Sequence, residues 1–181
     1  MDIALWSRVL HFSAQKHAGQ LRKDGLTPYL NHPIEVAYLL TDLGGVRDSA
    51  LIMAALLHDT LEDTSTTSSE LAMAFGDEIC SLVQAVSDDK SLPKDERKRL
   101  QIQHASHLNP KAKQIKLADK ICNLQDILAH PPADWSLSRR LDYFDWAEQV
   151  GVGLRGVNPA LEARFDQILA RKAELYLAPD L

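Results

Sequence analysis

Only two cysteines, Cys80 and Cys122, occur in the 181 residues, too few for a disulfide framework. Nothing in the chain therefore asks for an oxidising compartment, and a reducing cytosol is expected. An excess of basic residues is missing as well: 20 Lys and Arg stand against 25 Asp and Glu, a net charge of -5. No global positive field draws in DNA, RNA or an acidic membrane, so none of these is an expected partner. Long apolar runs are absent, and none approaches the roughly 20 residues of a membrane-spanning helix. The opening Met1-Asp2-Ile3-Ala4 lacks a basic region followed by an apolar stretch, so no signal peptide is expected. Glycine and proline number 8 each and never gather into a linker, and neither repeats nor low-complexity segments occur. One domain over residues 1–181 is expected, since 45% hydrophobic content can fill one core.

What the chain does contain is helical periodicity. Helices are expected at 2–19, 33–43, 46–59, 67–74, 77–86, 94–107, 111–129, 136–152 and 158–176. The stretch from Ala50 to Leu57 is apolar all round and built of good helix formers, which describes a buried helix. Asn158-Pro159 supplies a cap and a first-turn proline for the last helix, whose Leu161, Phe165, Ile168 and Leu169 share a face.

Directly behind the buried helix come His58-Asp59-Thr60-Leu61 and Glu62-Asp63. If helical geometry persists one turn further, Glu62 lies four residues beyond His58 and Asp63 four beyond Asp59, two imidazole/carboxylate pairs on one face. Taken alone, such a pair is better explained as a helix C-terminus decorated with solvated acids. Two other segments shift the balance. A proline is tolerated in a helix's first turn, so His32 is expected just before a helix that takes in Pro33 and runs on through Ile34. Asp119 lies beside the apolar stripe Leu117, Ala118, Ile121, Leu124 and Leu128, where a carboxylate needs a metal or a cationic partner; Lys116 and Lys120 are the alternatives to a metal. Two His and two Asp are borderline N/O ligands that suit manganese, iron or zinc better than calcium. The basic run Lys94 to Arg99 reads as a solvated helix face that lends Lys94 to phosphates, and Trp6, Trp135 and Trp146 as packing residues, Trp146 also bordering the pocket. Exposed aromatic surface, if present, points to a homo-oligomer.

The ordered set Arg22-Lys23-Asp24, Pro28-Tyr29, His32-Pro33, Leu57 to Thr64, Phe75-Gly76, Asp88-Asp89-Lys90, Lys116 to Lys120 and Asn123-Leu124 resembles the HD-superfamily hydrolase domain of the Rel/Spo proteins, in particular the stand-alone small alarmone hydrolases. The resemblance runs from about Ala4 to about Leu169. It implies an all-α fold, a single HD-domain helical bundle of about nine or ten helices. It also implies one manganese ion (Mn2+) and removal of pyrophosphate from the 3′ position of a small-molecule nucleotide, ppGpp or pppGpp, as in the stringent response. By the same resemblance His32, His58, Asp59 and Asp119 are the metal ligands, and Glu62 and Asp63 are the acids that serve the attacking water. Asn123 lines the nucleotide site, while Arg22, Lys23, Lys94, Arg139 and Tyr143 contact phosphates and nucleoside. Cys122 and Gln125 depart from the residues usual in relatives. Base preference stays open for that reason, with ppApp, pppApp or the 2′-phosphate of NADPH as alternative substrates. A silent nucleotide-binding module is the reading from a different class.

Overall fold

Six helix starts are fixed by a side-chain oxygen that accepts from a backbone N–H two or three residues into the helix. Asp2 takes Leu5, Asp48 takes Leu51, Thr67 takes Glu70, Asn109 takes Ala112, Ser136 takes Arg139 and Asn158 takes Leu161, at 2.9–3.3 Å. Each such cap contributes about 1 kcal/mol. The computed structural model describes residues 2–177, and among them the ten α-helices are α1 (Ile3–Lys16), α2 (Asn31–Asp42), α3 (Ser49–Leu57), α4 (Thr60–Asp63), α5 (Ser68–Phe75), α6 (Asp77–Val86), α7 (Lys94–Ala105), α8 (Pro110–Ala129), α9 (Leu137–Leu154) and α10 (Pro159–Ala170). A 3-10 turn, Arg171–Tyr176, follows α10. The described residues hold no strand beyond an isolated bridge between Leu21 and Pro28. The chain is all-α, as expected.

Helices α3 and α8 form the centre. The seven residues Leu51 to Leu57 of α3 are all buried, and the helix touches α1, α2, α6 and α8; α8 in turn touches α2, α6, α9 and α10. Fully burying each large apolar side chain contributes roughly 1.5–3 kcal/mol. At α9 the packing is close enough to demand glycine. A Cβ on Gly153 would lie 2.6 Å from the Cβ of Ala105 and 2.7 Å from the backbone nitrogen of Ser106.

Of the expected boundaries that the structure shifts, two concern the site. The helix expected over 46–59 stops at Leu57, because its last carbonyls, which have no intrahelical partner, are taken by side chains. His58 Nδ1 donates to Ala55 O (2.7 Å), Ser13 Oγ to Leu56 O (2.8 Å) and Thr60 Oγ1 to Leu57 O (2.7 Å). Helical geometry resumes in α4, where Asp63 N donates to Asp59 O at 2.8 Å. His58 and Asp59 thus occupy a joint between two helices. The second correction is at α2, which begins at Asn31, so His32 is inside its first turn and Pro33 follows it there. A proline costs nothing at that place, since first-turn N–H groups have no helical acceptor.

Candidate active site

At the α3–α4 joint the two imidazoles and two carboxylates expected to act together do meet. His58 Nε2 lies 3.0 Å from Asp59 Oδ2 and 3.8 Å from Asp119 Oδ1; His32 Nε2 lies 3.1 Å from Asp119 Oδ1 and 3.5 Å from Asp59 Oδ2. The donor atoms of His32, His58 and Asp59 all fall within 4.8 Å of one another, so the group can hold a metal ion. His58 gives its Nδ1 proton to Ala55 O, which leaves its Nε2, buried and without a hydrogen-bond partner, aimed at two carboxylate oxygens. That arrangement is repulsive unless something positive sits between them.

The electrostatics say the same. Burial works against a charged His58, but Asp59 and Asp119 outweigh it and push the imidazole up to about 10. Burial likewise opposes ionisation of Asp59, yet His58 and His32 hold it well below the usual carboxylate range. Asp119 is held low against burial by Lys120, His32 and His58. His32 behaves differently: burial dominates and lowers it, which keeps the ring neutral and ready to ligate. The cluster calls for positive charge at its centre, and two imidazoles with two carboxylates are a donor set that fits a divalent cation. Asp119 is fixed from outside by Asn123 Nδ2 at 2.6 Å and Lys120 Nζ at 3.2 Å.

Glu62 and Asp63 border this cluster. Glu62 Oε2 accepts from the backbone of Asp88 at 3.0 Å, and burial followed by the charge of Asp88 raises its pKa. Asp63 Oδ2 and Asp59 Oδ2 lie 3.0 and 2.8 Å from the hydroxyl of Tyr29. One phenolic proton serves only one of these carboxylates at a time.

Around cluster and acids lies a cavity of about 360 Å³ whose walls are cationic. Arg22 donates to Asn123 Oδ1 (2.8 Å) and to Asp126 (2.6 and 3.1 Å), so Asn123 bridges Asp119 and Arg22. Lys23 Nζ lies over the rings of Trp135 (4.8 Å) and Tyr143 (5.5 Å); loss of water around the ammonium, then the charge of Arg22, push it down to about 8. The Arg139 guanidinium stacks 4.3 Å over Trp135. Tyr143 is wedged between Trp135 and Trp146, and burial pushes its hydroxyl up to about 12. Lys94 lines the same cavity from α7.

Residues 10–142 match the model of the HD domain. The chain is 50% identical over 168 residues to the guanosine-3′,5′-bis(diphosphate) 3′-pyrophosphohydrolase MESH1 of Xenopus tropicalis, covering 92% of this chain and 94% of that protein. The chain belongs to the HD-domain family. To human MESH1, a protein of the same name, this HD domain is 49% identical over 162 residues, 89% of this chain and 90% of the relative. A solved structure described as a metazoan ortholog of SpoT that hydrolyses ppGpp superimposes with a TM-score of 0.92 at 44% identity, over 94% of this chain and 97% of that one.

The structure of this HD domain brings all twelve expected site residues to one cavity. It also adds residues that sequence reasoning put elsewhere. Arg97 is not part of a solvated face: half-buried, its guanidinium lies 3.8 Å from Glu62 Oε1. Lys98 lies 5.1 Å over Trp146 rather than in water, while Arg99 does remain outside and pairs with Glu96. Trp135 is a wall of the cavity and not a packing residue only, and Trp146 borders it as expected. The signal was there in the spacing: Lys94, Arg97, Lys98 and Gln101 recur at three- and four-residue intervals and share one face of α7. Lys120 takes the partner role expected as the alternative to a metal at Asp119, beside the metal-competent histidines and not instead of them.

Proposed function

We propose that this chain is a metal-dependent 3′-pyrophosphohydrolase that converts ppGpp and pppGpp to GDP and GTP, with Mn2+ held by His32, His58, Asp59 and Asp119. The observation that carries the reading is His58 Nε2, buried, without a hydrogen-bond partner and facing the Asp59 and Asp119 oxygens at the floor of a cation-walled cavity. The names borne by relatives that match nearly the whole chain supply the substrate.

When bound there, the cation supplies a Lewis acid for the phosphoryl oxygen and a water of lowered pKa. The remaining work belongs to the side chains. Arg22, Lys23, Lys94 and Arg139 draw in and orient the phosphates and offset charge that builds on the phosphorane. Arg22 and Asn123, tied to each other and through Asp119 to the cluster, set the nucleoside in register with the reacting phosphorus. Tyr143, between two indoles, closes that side with an aromatic face. Glu62, whose burial raises its affinity for a proton, takes the proton of the attacking water and returns it to the departing 3′ oxygen. Asp63 orients that water. With two buried, unpaired cysteines the chain suits the cytoplasm.

Purified protein supplied with Mn2+ is expected to release pyrophosphate from ppGpp, and Asp59→Ala to be inert. Chromatography of the products from ppGpp, ppApp and NADPH, run side by side, reads reaction and base preference together. Full activity in Asp59→Ala removes the cluster from the mechanism; faster turnover of ppApp or NADPH replaces the substrate but keeps the site.

A further inference from the structure

Lys90 has no part in the reading above, yet its ammonium sits on the two acids that handle the water. Nζ is 2.7 Å from Asp63 Oδ1 and 3.6 Å from Glu62 Oε1, and the side chain is 46% exposed. The loop that carries it, between α6 and α7, is anchored ahead of the lysine. Ser87 Oγ donates to Val83 O (2.8 Å), Asp88 N to Glu62 Oε2 (3.0 Å), and Gln101 Nε2 to Asp88 Oδ2 (2.5 Å). Across the lysine, Asp89 Oδ1 accepts from the backbone and hydroxyl of Ser91 at 2.9 and 2.6 Å. The backbone is therefore held while the four-carbon stem of Lys90 is free to swing.

A polyphosphate entering this cavity meets five carboxylates, Asp59, Glu62, Asp63, Asp88 and Asp119, beside the cations. It needs that negative charge covered on entry, and it needs the acids uncovered once the water is to be deprotonated. A half-exposed ion pair is weak and readily exchanged, whereas a phosphate group carrying more charge and more acceptor oxygens is the stronger partner for an ammonium. Both needs are met by one lysine that changes partners.

We propose that Lys90 is a phosphate-binding residue that the free enzyme parks on its own acid pair. The incoming polyphosphate takes the ammonium from Asp63 and Glu62, so the acids become available only when substrate is in place. The inference rests on the proposed phosphohydrolase reading, and it names the residue that couples binding to readiness of the acids.

Lys90→Met and Lys90→Arg test it, with thermal melts to verify that both fold. On ppGpp, Met is expected to raise KM and the inhibition constant of pyrophosphate by about tenfold or more, with the loss falling on KM and not on kcat, and Arg is expected to restore most of it. A fall in kcat at unchanged KM makes Lys90 a fixed clamp of the acids and overturns the proposal. No change in either constant makes it a solvated surface charge, which also overturns it. Should wild-type protein fail to cleave ppGpp, the function reading falls alone. Calorimetric binding of pyrophosphate to the Mn2+-loaded wild type and Lys90→Met then decides about Lys90, with equal affinities refuting its phosphate role.

Discussion

Replacing Asp119 by asparagine separates what this carboxylate does for stability from what it does for the site. Its charge is the counter-ion of Lys120, whose side chain is 4% exposed and whose ammonium also lies 4.5 Å from the Trp146 ring. Burial opposes that ammonium, and Asp119 outweighs burial so that Lys120 stays above its ordinary value. Asp119→Asn leaves a buried charge without its partner, a change that costs about 3–5 kcal/mol. In a domain of this size each kcal/mol lowers Tm by roughly 2–4 °C, so a drop of about 6–20 °C is expected. Melting in chelator isolates this effect from loss of metal. Adding Lys120→Met removes the stranded charge in favour of an apolar side chain of similar length, and the double variant is expected to regain at least about half of the lost stability. Pyrophosphate release stays lost in both, because the cluster lacks one of its carboxylates. The reasoning is refuted if Asp119→Asn melts within about 2 °C of wild type, or if the double variant hydrolyses substrate normally.

Glu62→Gln keeps the size and the hydrogen bond to Asp88 but cannot carry the proton. It is expected to lower kcat by about 10²–10⁴-fold with little change in KM, measured by steady-state pyrophosphate release; near-normal kcat passes the proton to Asp63. Lys23 supplies a pH dependence: pushed down to about 8, it is charged below that pH and neutral above it. KM is therefore expected to rise as pH climbs through 8, and Lys23→Met to have a raised KM that no longer responds there; an unaltered KM profile in Lys23→Met removes this residue from phosphate binding.

Elements carried by local pattern were legible in the residues. The all-apolar α3, the capped start of α10 at Asn158 and the lone carboxylate of Asp119 on an apolar stripe all declare themselves within a few positions. The break at His58 did not, because one of the three groups that end α3 is Ser13, 43 residues away. The start of α2 was misplaced by assigning Pro33 to the first helical position, when the first turn tolerates it two residues further in. Arg97 and Lys98 were hidden for another reason. A run of basic residues has the same composition whether the helix faces water or an aromatic wall, and only the packing of α7 against α9 brings Trp146 beneath Lys98.

The ligand atoms come from places far apart in the chain, His32 and Asp119 being separated by 87 positions. A single cation bound to all four, as proposed, would staple two helices and the α3–α4 joint and close long loops at once, and its binding would add to the stability of the folded chain. Metal starvation would then do more than silence the enzyme. It would shorten the protein's lifetime against cellular proteases, so that the supply of a divalent metal would set how much of this hydrolase persists as well as how fast it works.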